Sequence, residues 1–102
     1  MMHLVEILLP LTDNEGQAFS PSKFAAVRQN LTDTFGGVTT FTRAPVHGTN
    51  VAAGEVQHDD IVIMEVMTGA IDKEWWDTYR RKLEADFAQD EIVIRASVFD
   101  KL

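Results

Sequence analysis

The chain has 102 residues, 45% of them hydrophobic, a size and composition that suit one domain spanning residues 1–102 with a single core. Its formal net charge of -7 disfavours nucleic acids and anionic membranes as partners, and the absence of cysteine excludes disulfides and cysteine nucleophiles. No signal peptide or membrane span is recognised, so the predicted location is the cytoplasm.

The first half of the chain reads as strand, helix, strand. The apolar run 3–9 predicts a strand that ends at Pro10. Ser20 and Pro21 mark the start of a helix that runs to about residue 35. Its apolar residues recur at spacings of three and four: Phe24, Val27, Leu31 and Phe35. Two glycines, 36 and 37, end the helix, and the β-branched run that follows predicts a second strand closed by Pro45.

The second half reads as strand, helix, strand after a loop from Pro45 to about His58. The run 61–67 is strongly strand-like. Asp72 is placed to cap a second helix, with Ile71 and Trp76 forming a hydrophobic staple. The predicted core face of this helix, which ends near Gln89, carries Trp76, Tyr79, Leu83 and Phe87. The run 92–98 predicts the last strand.

The order β-α-β-β-α-β is typical of the ferredoxin-like sandwich, an α+β fold. Right-handed crossovers place two helices on one face of a four-stranded antiparallel sheet with strand order 4-1-3-2. The other face is left without helices, and we refer to it as the helix-free face.

Alternation along the strands assigns side chains to the two faces. The sets predicted to face the helices are uniformly apolar: Val5, Ile7, Leu9, Val62, Met64, Val66, Ile92, Ile94, Ala96 and Val98. The helix-free set mixes apolar with charged side chains: Leu4, Glu6, Leu8, Phe41, Arg43, Ile61, Ile63, Glu65, Met67, Val93, Arg95 and Ser97. A face this apolar predicts a homodimer formed through it.

Four charged residues of the helix-free face make the main candidate site. The strand order brings Glu6 near Arg95, and Glu65 near Arg43. One interpretation is that these are structural ion pairs inside a dimer interface. The other is that all four line a cavity and bind a polar ligand, with Glu65 available for proton transfer.

Three further features have a structural and a functional interpretation. His47 is either a general base near the cavity or an ordinary loop histidine. Trp75 either contacts a partner or a ligand, or packs at the edge of the core. His58, Asp59 and Asp60 either collect a cation or form a solvated hairpin end. No histidine has metal-ligand spacing, so the sequence predicts neither a metal nor a cofactor.

Two resemblances rest on the runs Phe35-Gly36-Gly37-Val38-Thr39-Thr40-Phe41-Thr42-Arg43-Ala44-Pro45, Asp59-Asp60-Ile61-Val62 and Trp75-Trp76 with Tyr79-Arg80, and on the element order. The runs resemble a family of short uncharacterised bacterial proteins, which implies no activity. The element order is similar to that of the dimeric α/β-barrel superfamily, which implies dimerisation through the sheet and a small-molecule cavity. Fold does not imply function. The leading hypothesis is therefore a protein, enzymatic or not, that binds a small organic molecule, and the alternative is a module for self-association or protein interaction.

Overall fold

A computed structural model describes residues 1–43 and 61–102, with the backbone alone at Arg43. The described elements, in chain order, are β1 (Met2–Pro10), α1 (Pro21–Phe35), β2 (Thr39–Arg43), β3 (Ile61–Thr68), α2 (Lys73–Asp86) and β4 (Val93–Phe99). The predicted loop from Pro45 to His58 lies outside the described residues.

The four strands form one antiparallel sheet in the order β2-β3-β1-β4, which confirms the predicted order and the ferredoxin-like α+β fold. Ile7 lies opposite Met64 on β3 and opposite Ile94 on β4, so the apolar sets of the central strands coincide. In the described ranges, neither helix combines the length and the apolar character needed to cross a bilayer.

The core lies between the helices and the central strands. Val5, Ile7 and Leu9 of β1 are almost fully buried, as are their counterparts on β3. The core face predicted for α2 is confirmed, because all four of its members are buried: Trp76, Tyr79, Leu83 and Phe87. The helix itself ends at Asp86, three residues before the predicted end near Gln89.

Local signals at the helix ends explain where the helices begin and stop. Gly36 adopts the left-handed conformation with φ of 85° and donates its backbone N–H to the Thr32 carbonyl, which ends α1. Asp72 caps α2 by accepting the N–H of Trp75 at 3.0 Å. Ser20 occupies the same position before α1, but among the described residues its hydroxyl contacts Ser22 and makes no cap bond.

The prediction that β4 is covered by the helices is wrong for its second half. Ile92 is buried and Ile94 half-buried, whereas Ala96 and Val98 are exposed. Alternation assigns these residues to the correct face, but β4 is the edge strand and the core extends only to its beginning. The helix side of β4 therefore presents apolar side chains to solvent.

Candidate functional site

A row of polar residues crosses the helix-free face at one level of the sheet. Arg95 on β4 lies opposite Glu6 on β1, Glu6 lies opposite Glu65 on β3, and Glu65 lies opposite Thr39 on β2. Directly opposed residues of antiparallel strands point to the same face and have their Cβ atoms about 5 Å apart. The register therefore brings two carboxyl groups and one guanidinium together.

The pairing of Glu6 with Arg95 confirms one of the two predicted neighbourhoods. Nε of Arg95 donates to Oε1 of Glu6 at 3.0 Å. The Glu6 side chain is 20% exposed and that of Arg95 52% exposed, so the pair is screened on one side by solvent. Arg95 thus offsets the charge of Glu6 on the side of the edge strand.

The opposition of Glu6 and Glu65 brings two groups of the same charge together. Burial raises the pKa of Glu65, and a side-chain hydrogen bond to Glu6 and the charge of Glu6 raise that pKa further. Glu65 therefore holds its proton to a higher pH than an isolated glutamate does.

The expected neighbourhood of Glu65 and Arg43 is wrong. In the β2–β3 register, Arg43 lies opposite Ile61, four residues along β3 from Glu65. Four residues of extended strand span about 13 Å, so these two positions are separated along the sheet. By register, Arg43 stands at the end of β2 opposite to that of Thr39.

A groove of about 460 Å³ opens beside Glu65 at the end of the sheet. Glu65 and Thr39 contribute its polar side chains. Its remaining walls come from β1, β3 and the connection between α1 and β2: Leu4, Phe35, Gly36, Gly37, Val38 and Met67. The groove thus has a mixed polar and apolar lining, with one carboxyl group among its side chains.

Trp75 lies in an aromatic cluster next to this groove rather than in it. Its ring is 5.2 Å from that of Phe35 in an edge-to-face contact and 4.9 Å from that of Tyr79 in a stacked one. Trp75 and Tyr79 line a second groove of about 370 Å³ along α2, together with Asp72, Glu74, Thr78 and Lys82. The predicted site thus divides, with Glu6, Glu65 and Arg95 on the sheet and Trp75 on the helix.

Several other candidates lie outside the described residues. These are His47 and the His58-Asp59-Asp60 run. Among residues 1–43 and 61–102, no cluster of three or more histidine, aspartate or glutamate side chains is placed to hold a metal ion. Glu84, a carboxylate with a structural role, accepts the backbone N–H of Ile92 at 3.0 Å, and this bond lowers its pKa, with Arg80 contributing.

Sequence reasoning missed the direct opposition of Glu6 and Glu65. A signal for it was present: aligning the apolar sets of two antiparallel central strands places Ile7 opposite Met64, and the next pair is then Glu6 with Glu65. It also missed that the two glycines after α1 form part of a groove wall. That role depends on how the α1–β2 connection crosses the end of the sheet.

Comparison with known proteins supports the fold. No protein-family model matches the sequence, and a search of curated proteins found no match. Among solved structures, the chain is similar to a phage SAM lyase in complex with S-methyl-5'-thioadenosine, with a TM-score of 0.64 and 12% sequence identity over 94% of this chain and 80% of that chain. At this identity the likeness shows the fold alone. It does not support the family of short bacterial proteins that the sequence resembles.

Proposed function

We propose that this protein binds a small organic molecule in the groove beside Glu65. The observation that carries the proposal is the position of Glu65, which lines the groove and lies directly opposite a second carboxyl group. Acidic groups directly opposed in a sheet are unfavourable for stability, and departures of this kind from a stable arrangement are expected at functional sites. The ligand supplies the polar contacts that the chain itself leaves open there.

The chemistry of the groove defines the class of ligand. Phe35, Leu4 and Met67 provide apolar contacts for a ring, and Gly36 and Gly37 allow close approach because no Cβ stands between their backbone and the groove. A carboxylate accepts hydrogen bonds from ribose hydroxyls and attracts a positive charge. A nucleoside thioether offers the ring and the ribose hydroxyls, and a nucleoside sulfonium compound adds the positive charge. A protein of similar fold was determined with S-methyl-5'-thioadenosine.

Glu65 is also the group in this proposal that transfers a proton, if the bound molecule is transformed. A carboxyl with a raised pKa holds a proton closer to neutral pH, where it can serve as an acid and then as a base. Glu6 retains its ion pair with Arg95. His47, predicted as a general base, stays a prediction.

The test is isothermal titration of S-methyl-5'-thioadenosine and of S-adenosylmethionine into the wild-type protein and two variants. Glu65→Gln keeps the shape of the side chain and removes its charge. Glu15→Gln makes the same change of net charge at an exposed position outside this groove, and serves as the matched control. We expect Glu65→Gln to weaken binding about tenfold or more, which corresponds to roughly 1.4 kcal/mol, and the control to bind like the wild type.

Two results contradict the proposal. Equal affinity of the wild type and Glu65→Gln would remove Glu65 from the site. Failure of the wild type to bind either compound would reject this ligand class. Tryptophan fluorescence gives an independent signal, because Phe35 lines the groove and stacks 5.3 Å from Trp76.

A second candidate function is self-association through the helix-free face. The observation that favours it is the exposure of three large apolar residues there, Phe41 at 41%, Met67 at 54% and Val93 at 45%. A second copy on this face would cover them and close the groove into a cavity. Phe41→Lys tests it, because a lysine buried in such an interface would convert a dimer to a monomer in sedimentation velocity.

A further inference from the structure

The β4 strand presents an open sheet edge with little of the protection that edge strands usually carry. It pairs with β1 on one side, and among the described residues no strand pairs with its other side. Its sequence, Val-Ile-Arg-Ala-Ser-Val-Phe, contains one charge and neither proline nor glycine. Natural edges are usually blocked by lysines, prolines, bulges or short length, because their free N–H and C=O groups otherwise recruit another strand.

The apolar side chains of β4 that face the helix side add to this open edge. Ala96 and Val98 are exposed, and Val98 is 55% exposed. They continue the apolar row of the core past the limit of the helices. A partner strand alongside β4 would satisfy the backbone groups and cover these side chains together.

We infer that the partner is a second copy of this chain, paired antiparallel through β4 about a two-fold axis at Ala96. A two-fold axis perpendicular to the sheet keeps each side chain on its own face, so only residues of the same parity can oppose each other. With Ala96 opposite the same residue of the copy, all seven residues of the strand find a partner. Arg95 then lies opposite Ser97, Ile94 opposite Val98, and Val93 opposite Phe99.

Charge distinguishes this register from its neighbours. If the two-fold axis were at Arg95 instead of Ala96, Arg95 would lie opposite Arg95 of the copy, and like charges directly opposite each other are unfavourable. With the axis at Ala96, the exposed residues that flank β4 also come into register. Glu91 of each copy lies opposite Lys101 of the other. An intermolecular ion pair therefore forms at each end of the paired strands.

The β4–β4 interface is small, so we expect a weak dimer. A pair of seven-residue strands with one apolar row is at the small end of specific interfaces, below about 1,200 Å² of total buried surface. A chain with a net charge of -7 also repels its own copies. This repulsion is weaker at β4, because the charge of Arg95 is neutralised by its ion pair with Glu6. We expect a reversible dimer whose population rises with protein concentration.

Cysteine cross-linking tests the register, because the chain contains no native cysteine. In Ala96→Cys the two Cα atoms would be about 5 Å apart, within the range of a disulfide, and oxidation of the folded protein should give a covalent dimer. Ser97→Cys is the matched control. Its two Cα atoms would be about 8 Å apart, beyond the range of a disulfide, and its side chain lies on the opposite face of the sheet from that of Ala96. Preferential cross-linking at position 97 would overturn the register.

Sedimentation velocity from about 10 to 500 µM tests the partner and the ion pairs. We expect the wild type to dimerise, Lys101→Glu to shift the transition to at least about tenfold higher concentration, and the swap Glu91→Lys with Lys101→Glu to restore it. Val98→Lys should also give monomers, whereas Phe41→Lys on the helix-free face should leave the dimer intact. A wild-type monomer across this range, or a dimer lost only in Phe41→Lys, would overturn the inference.

Discussion

Glu6 and Glu65 lie directly opposite each other on adjacent antiparallel strands, and the guanidinium of Arg95 contacts Glu6 at 3.0 Å from the other side. Like charges in this arrangement reduce sheet stability by roughly 0.2–1 kcal/mol. The arrangement stands at the edge of the groove, where a carboxyl group with a raised pKa has a chemical use. Glu6 and Glu65 therefore reduce the stability of the sheet at the position where we propose that the ligand binds.

Replacing Glu65 by glutamine is expected to change how stability depends on pH. Because the native pKa of Glu65 is raised above its ordinary value of 4.5, the native state binds more protons than the unfolded state between 4.5 and the native pKa. Wild-type stability conferred by this group is thus complete below that window and falls as pH rises through it. The stability of Glu65→Gln relative to wild type should therefore increase with pH across the window, as measured by urea unfolding followed by tryptophan fluorescence.

The matched control is Glu84→Gln, for which the pH dependence has the opposite sign. The hydrogen bond from Ile92 lowers the native pKa of Glu84, so its contribution is present above the unfolded pKa and lost as pH falls through the native one. Its removal should cost most near neutral pH and least in acid. Parallel pH profiles for the two variants would contradict both assignments.

Removing Arg95 should destabilise the protein modestly, by an amount that depends on Glu65. The ion pair is partly exposed, which puts its contribution near 0.2–1 kcal/mol, and Arg95→Gln also leaves two opposed carboxyl groups without a neighbouring cation. The same change made in the Glu65→Gln background should cost less, because one negative charge remains instead of two. A double-mutant cycle of unfolding free energies measures this coupling. Strict additivity would show that Arg95 and Glu65 act independently.

The fold was predictable because its signals are local. Pro21 and Gly36 mark the ends of α1, and the apolar alternation of β1 and β3 identifies the core face. The position of Arg43 was not predictable, because the β2–β3 register depends on a connection of 17 residues, 44–60, whose length allows many registers. The exposure of Val98 was missed for a related reason. Alternation specifies the face of a residue, but which strands the helices cover is decided by their packing.

The two glycines after α1 should respond differently to alanine. Gly36 has a φ of +85°, where an L side chain is strained, so Gly36→Ala should reduce the unfolding free energy by about 1–2 kcal/mol although the space around it is open. Gly37 has no such conformation and equal space, so Gly37→Ala should be neutral or stabilise slightly. Both glycines line the groove. Because Gly37→Ala should leave the protein stable, a change in ligand binding by this variant can be assigned to the added methyl group in the groove. Equal losses of stability would mean that the left-handed turn is not what ends α1.

The caps of the two helices provide a final matched pair. Asp72 accepts the Trp75 N–H at 3.0 Å and places a negative charge at the start of α2, so Asp72→Ala should cost about 1 kcal/mol. Ser20 holds the same position before α1 but bonds Ser22 at 3.0 Å, and Ser20→Ala should therefore cost only about a few tenths of that. Thermal unfolding by circular dichroism compares the two. A larger loss for Ser20→Ala would show that its hydroxyl caps α1 in solution. The α2 cap has a further consequence, because Asp72 fixes the backbone of Trp75, whose ring packs on Phe35 at the wall of the groove.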